Sequence, residues 1–112
     1  MTNLHLVFSR PPADVTEDEW NAWYDAHLGE ILSVPGFVSA RRYRLDAVVD
    51  DIGFGYLTIY EVEGDPADAV AALERAGLDS QDSYVDKPDT LPVPGWFERI
   101  RFASVNATAL DD

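Results

Sequence analysis

The chain has only two histidines, His5 and His27, and an imidazole is the side chain best suited to take up and return a proton near neutral pH. His27 falls at helical spacing on an apolar stripe with Trp20, Trp23, Tyr24, Leu28, Ile31 and Leu32. A histidine in that company either bonds a backbone carbonyl or a tyrosine inside a core, or faces a ligand pocket. His5 belongs to the apolar segment Leu4 to Arg10, where it makes either a cross-strand contact or a second pocket wall. If the stripe covers that segment, His5 and His27 share one apolar hollow, and Tyr24, one turn before His27, hydrogen-bonds within it. Such a set can move a proton next to a carbonyl: His27 as general base or acid, His5 orienting the substrate or returning the proton, and Tyr24 donating to the oxygen where charge develops. These three are the candidate catalytic residues. Trp23, Tyr60 and Arg99 are the candidate substrate-binding residues, with Arg99 (or Arg101) suited to a carboxylate or enolate.

Other chemistries find no support. Cysteine is absent, which excludes thiolate catalysis, disulfides and Cys-ligated metals. No His-x-x-x-His or Glu-x-x-His spacing suggests a metal, and Asp50-Asp51 lacks a calcium-loop pattern. Gly53-Phe54-Gly55 precedes strand-like rather than helical residues, so it is not a phosphate loop, and Gly-x-Ser-x-Gly does not occur. The expectation is a protein with no cofactor and no metal. Twenty-one acids against eight bases give a formal charge of −13, which repels phosphate backbones and anionic membrane surfaces. No apolar run reaches membrane-spanning length and the first residues lack a basic-then-apolar pattern, so the expected location is cytoplasmic, with neither nucleic acid nor membrane as partner.

The elements that must position these residues are legible. With 112 residues there is room for one domain. Leu4 to Arg10 reads as a strand stopped by Pro11-Pro12. Thr16 and Glu19 have capping-box spacing ahead of the amphipathic stripe, and Pro35-Gly36 ends that helix. Phe37 to Leu45 and Phe54 to Val62 read as a hairpin around the polar stretch Asp46 to Gly53. Asp65-Pro66 starts a second helix, with Ala69, Val70, Leu73 and Ala76 as its buried face and Gly77 as its cap. Residues 78–95 read as a long loop, and Trp96 to Val105 as a last strand before a polar tail. The expected domain is therefore residues 1–105, with 106–112 as tail. The β-α-β-β-α-β order predicts a ferredoxin-like α+β fold: one four-stranded antiparallel sheet with both helices on one face.

Both alternating sets of strand residues contain apolar members, for example Leu4, Leu6 and Phe8 against Val7, and Tyr56, Thr58 and Tyr60 against Leu57 and Ile59. A sheet apolar on both sides is covered on both sides. The chain has no residues left for the second face, so a homodimer is expected. Six of the eight basic residues, Arg10, Arg41, Arg42, Arg44, Arg99 and Arg101, sit in or beside strands. On the edge strands they either blunt edge pairing or pair with acids across a dimer, with Arg99 or Arg101 as the alternative holder of a substrate carboxylate or enolate.

The segment Trp23-Tyr24-Asp25-Ala26-His27-Leu28, continuing through Val34-Pro35-Gly36-Phe37 to Arg41-Arg42-Tyr43, resembles the signature of stand-alone dimeric α/β-barrel proteins, closest to the EthD-like group. The resemblance implies a homodimer whose two sheets pack face to face. It also implies one of the activities of the small members: muconolactone isomerases, polyketide cyclases and dehydratases, cofactor-free quinone-forming monooxygenases and haem-degrading enzymes. The olivetolic acid cyclases similarly place a histidine in the first strand, in a context like His5-Leu6-Val7. They carry an aromatic hydroxyl roughly where His27 stands and use a second histidine late in the chain, whereas residues 62–112 here contain none. That departure separates the expected mechanism from theirs and counts against haem degradation. The leading expectation is a cofactor-independent lyase, isomerase or cyclase acting by histidine-mediated proton transfer on a small apolar aromatic, lactone or polyketide-like compound. The alternatives are a non-catalytic small-molecule-binding or accessory protein, and a cofactor-free monooxygenase.

Overall fold

A computed structural model describes residues 3–46, 54–76 and 101–108. Its elements are β1 (Asn3–Arg10), α1 (Glu17–Ile31), β2 (Phe37–Arg44), β3 (Tyr56–Val62), α2 (Pro66–Arg75) and β4 (Arg101–Thr108). The sheet order is β2-β3-β1-β4 and every pairing is antiparallel. This is the ferredoxin-like α+β arrangement, with β1 and β3 in the centre and β2 and β4 at the edges.

Local chemistry sets the helix starts. Thr16 caps α1: its side chain accepts from the Glu19 backbone N–H at 3.2 Å, while the Glu19 carboxylate accepts from the Thr16 N–H at 3.2 Å. Glu17, Asp18 and Glu19 add negative charge where the helix dipole is positive. Asp65 caps α2 by accepting from the Ala67 N–H at 2.9 Å, and Pro66 takes the position whose missing N–H costs nothing. Gly36, in the turn into β2, has φ of 102°, a conformation that side chains with a Cβ rarely adopt. A Cβ there would also meet Ala69 Cβ of α2 at 3.1 Å, so this glycine brings α2 close to the start of β2.

Because strand residues alternate sides, β1 turns His5, Val7 and Ser9 toward the helices, and all three are buried. Its register partners on β3 continue that layer: His5 faces Tyr60, Val7 faces Thr58 and Ser9 faces Tyr56. The core has two parts. Val7, Phe37, Tyr60 and Val62 pack with Ile31, Val34, Ala69 and Leu73, while Trp20, Trp23 and Tyr24 form a cluster bordered by Val15, Leu28, Tyr56 and Phe102. The opposite face carries Leu4, Leu6 and Phe8, in register with Glu61, Ile59 and Leu57 of β3 and with Ala107, Val105 and Ala103 of β4. Phe54 leans on Phe8 there with ring centroids 6.4 Å apart, and Val105 is 54 % exposed.

Four sequence expectations shift. The last strand continues to Thr108, past the expected end at Val105, because polar Asn106 and Thr108 pair with His5 and Asn3 of the central strand. Leu32 is exposed and caps α1 rather than extending its buried stripe. The hairpin strands stop at Arg44 and start at Tyr56, short of Leu45 and Phe54. Ala76, not Gly77, is the C-cap residue of α2. Gly77, the 78–95 loop, most of the Asp46 to Gly53 turn and the start of the last strand lie outside the described residues. Replacing Thr16 by Ala removes a cap and its reciprocal bond. The expected outcome is a loss of about 1 kcal/mol, read as a lower urea midpoint at unchanged m-value.

Candidate functional site

The face of α1 that meets the sheet is aromatic and polar at once. Trp20, Trp23, Tyr24, His27 and Ile31 are all buried on it. Trp20 and Trp23 stack with centroids 5.5 Å apart and planes 12° apart, and Trp23 in turn stacks on His27 at 5.1 Å and 19°. Tyr24 meets the His27 ring edge-on at 5.6 Å. Across from α1, the His5 ring lies 6.0 Å from Tyr60, inclined by 29°, and 6.2 Å from Phe37. Both imidazoles are therefore on the helix side of the sheet, joined through the sequence of neighbours His27, Tyr24, Tyr60, His5.

At the centre of that sequence is a group of hydroxyls. The Tyr24 phenol is enclosed by the side chains of Thr58, Tyr60 and Ser9, one from β1 and two from β3. All four residues are no more than 1 % exposed. Burial pushes the Tyr24 phenol above its ordinary 10.0, and the neighbouring hydroxyls and the Arg42 charge only partly offset this. Tyr60 is raised well above 10.0, first by burial and then by its proximity to Tyr24. Both phenols stay protonated at neutral pH and are available as donors. Among the described residues the Trp20 indole N–H is buried with no hydrogen-bond partner, while the buried Ser9, Thr58 and Tyr60 hydroxyls have the Tyr24 phenol as their polar neighbour, at looser than ideal geometry. Polar atoms in that condition cost about 1–3 kcal/mol each, and native proteins nearly always match them with protein, water or ligand. This concentration under one helix marks the site.

His5 is oriented from the opposite side. Its Nδ1 lies 2.8 Å from Asn106 Oδ1; an amide oxygen only accepts, so Nδ1–H is the donor. Arg42 of β2 closes the outer wall. Its guanidinium carbon stands 4.5 Å above the Tyr24 ring and 5.9 Å from that of Tyr56, and it approaches the Asp25 carboxylate at 3.6 Å. Arg44 pairs with Glu17 at 3.1 Å. Both acids belong to α1 of the same chain.

Of the residues expected from the sequence, His27, Tyr24 and Trp23 are buried on α1, His5 and Tyr60 are buried on the helix side of the sheet, and Arg99 lies outside the described residues. Ser9, Thr58, Asn106 and Arg42 join them without having been expected. Ser9 and Thr58 were legible as members of the His5 and Tyr60 sides of their strands, whereas Asn106 and Arg42 depend on register that no local pattern gives. Among the described residues no three His, Asp or Glu side chains gather in a metal-binding arrangement, and no helix is long and apolar enough to cross a membrane.

Solved structures share this fold over almost the whole chain. A DABB family protein with a ferredoxin-like fold (mll5499) from Mesorhizobium loti superposes with a TM-score of 0.59 at 14 % identity, with 97 % of each chain covered. A candidate monooxygenase from Shewanella loihica gives 0.54 at 13 % identity, covering 100 % of this chain and 99 % of that one. A dimeric ferredoxin-like protein from an uncultured marine organism gives 0.54 at 12 % identity, with 100 % and 99 % covered. No protein-family model and no curated protein sequence matches the chain. The likeness is one of fold: the chain has the ferredoxin-like architecture of dimeric α/β-barrel proteins.

The buried phenols carry a pH signature. Their folded values exceed the unfolded value near 10.0, so the stability they lend is complete below that pH. It is lost as pH rises from there toward the folded values, where the unfolded chain has released protons that the folded one retains. Urea midpoints measured between about pH 9 and pH 11 should fall, and should fall less steeply in Tyr24→Phe and Tyr60→Phe. An unchanged slope in both variants would show that these phenols ionise freely in the folded chain.

Proposed function

We propose that this protein binds a small, largely apolar, oxygen-bearing compound between α1 and the sheet and moves a proton on it without a cofactor, as a lyase, isomerase or cyclase. The observation that carries this reading is the set of buried hydroxyls around Tyr24, flanked by the two imidazoles. A wall of Trp20, Trp23 and Tyr60 suits an aromatic, lactone or polyketide-like body. Neutral phenols with raised pKa values suit a carbonyl oxygen on which negative charge grows, because they donate without first giving up their own protons. His27 is the general base that removes a proton from the carbon beside that carbonyl. His5, with its proton held on Nδ1 by Asn106, presents the Nε2 lone pair and orients the substrate or relays the proton. Trp23 and Tyr60 contact the substrate body; Arg99 remains a candidate for an anionic group on it. The Tyr-Asp-x-His motif at residues 24–27 supports an EthD-like affiliation for this activity.

The apolar second face of the sheet supports a homodimer in which two sheets pack together, as does the dimeric fold relative. A cofactor-free monooxygenase is the second reading, favoured by the candidate monooxygenase among the structural relatives; such fold-level analogy is weaker than site chemistry.

Two measurements test these assignments. Incubated with aryl ketones and butenolide lactones deuterated beside the carbonyl, the protein should wash out the label. His27→Asn should lower that rate by about 100-fold or more, and Tyr24→Phe by about 10- to 100-fold. Full exchange in His27→Asn removes that residue from the mechanism, and oxygen uptake with a dihydroxyaromatic compound in place of exchange supports the second reading. In sedimentation, the chain should run as a dimer and Leu6→Arg, on the apolar face, as a folded monomer; a wild-type monomer at high concentration would end the dimer proposal.

A further inference from the structure

Arg42 is out of place as an edge-blunting residue. Its side chain is only 14 % exposed, and a buried charge persists only when well paired. Yet among the described residues its guanidinium makes no hydrogen bond. The acid that approaches it, Asp25, is 3.6 Å away on a side chain 73 % exposed, which is a weak, solvent-screened attraction. The remaining contacts are the faces of Tyr24 and Tyr56. Five N–H donors in a fixed fork thus stand in a half-dry place with almost nothing accepting from them.

The position explains what they are for. Arg42 lines a surface cleft of about 130 Å³ together with Glu17, Asn21, Tyr43, Arg44 and Tyr56. On its other side it covers the Tyr24 ring, and it faces Thr58 across the β2–β3 register. The same guanidinium therefore forms the floor of the cleft and part of the wall around the buried hydroxyls. An anionic oxygen arriving through the cleft would meet the fork first, in an environment where a charge-assisted bond is strong. Its neutral remainder would then pass beside Tyr24 and Thr58. Glu17 is drawn aside by Arg44 at 3.1 Å, so the nearest carboxylate on the cleft does not compete for Arg42.

We propose that the cleft is the mouth of the site beneath α1 and that Arg42 is its specificity residue, selecting compounds that carry a carboxylate or phenolate at one end of an apolar body. The inference rests on the small-molecule site proposed above and adds the charge class of its ligand. It also gives a chain of net charge −13 a local means of holding an anion against its overall field.

The test uses two matched pairs of probes, benzoate with benzamide and 1-naphthoate with 1-naphthamide, titrated against the full chain by NMR. The Arg42 Nε–H and the Trp20 and Trp23 indole N–H signals report binding. Each carboxylate is expected to bind about tenfold or more tighter than its amide and to shift the Arg42 signal. Arg42→Gln should abolish that preference by weakening the carboxylates, and Arg42→Lys should restore only part of it, since a point charge lacks the fork. Asp25→Asn, at an exposed position, removes the acid that approaches the guanidinium at 3.6 Å and should tighten the carboxylates alone, which keeps the inference testable even if Arg42→Gln unfolds. Equal affinity within each pair in the wild-type chain, or a preference that survives Arg42→Gln, overturns the role of Arg42 while amide binding at the indoles leaves the site itself standing. If none of the four compounds moves the indole signals, the site reading fails and this inference with it.

Discussion

The pleat of β1 is the constraint from which the rest of the molecule follows. This strand is paired on both edges, to β3 and to β4, so it cannot rotate, and its side chains must alternate between two environments. One set, His5, Val7 and Ser9, goes beneath the helices; the other, Leu4, Leu6 and Phe8, goes to the opposite face. A slip of one residue would exchange them, placing an imidazole and a hydroxyl on the apolar face and three large apolar side chains against the phenols. The buried polar layer and the apolar opposite face are thus set by the two sides of a single eight-residue strand, and neither can shift without the other.

The hydroxyl group under α1 gives that constraint an energetic edge. Hydrophobic packing alone would favour phenylalanine or leucine at Tyr24 and Tyr60 and an aliphatic residue at Thr58. The chain instead keeps oxygen atoms at the driest point of the fold, where unmatched polarity is most costly. Aromatic stacking of Trp20, Trp23 and His27 beside these oxygens helps hold α1 down over them. Arg42 belongs to the same pattern: a charge retained where a neutral side chain would have packed more easily.

Most of the architecture was legible in the sequence because it rests on local signals. Thr16 and Glu19 announced α1, Asp65-Pro66 announced α2, Pro35-Gly36 marked the turn into β2, and alternation marked the strands. Helix periodicity was enough to put Tyr24 and His27 on one stripe, and strand alternation put His5 on a defined side. What escaped was set by register between distant segments. Asn106 read as tail because nothing in its neighbours shows that it lies opposite His5. Arg42 read as an edge charge because its contact with the Tyr24 ring depends on how β2 lies beneath α1. Thr58 and Ser9 looked like ordinary strand polar residues until the sheet brought them to one phenol.

The bond between His5 and Asn106 spans 101 positions of sequence, nearly the length of the chain. It fixes which nitrogen of the first strand's imidazole holds a proton, and it forms only when the final strand has docked beside the first. Contacts between such remote segments are among the slowest to form. The orientation of that ring therefore depends on the first and last strands together.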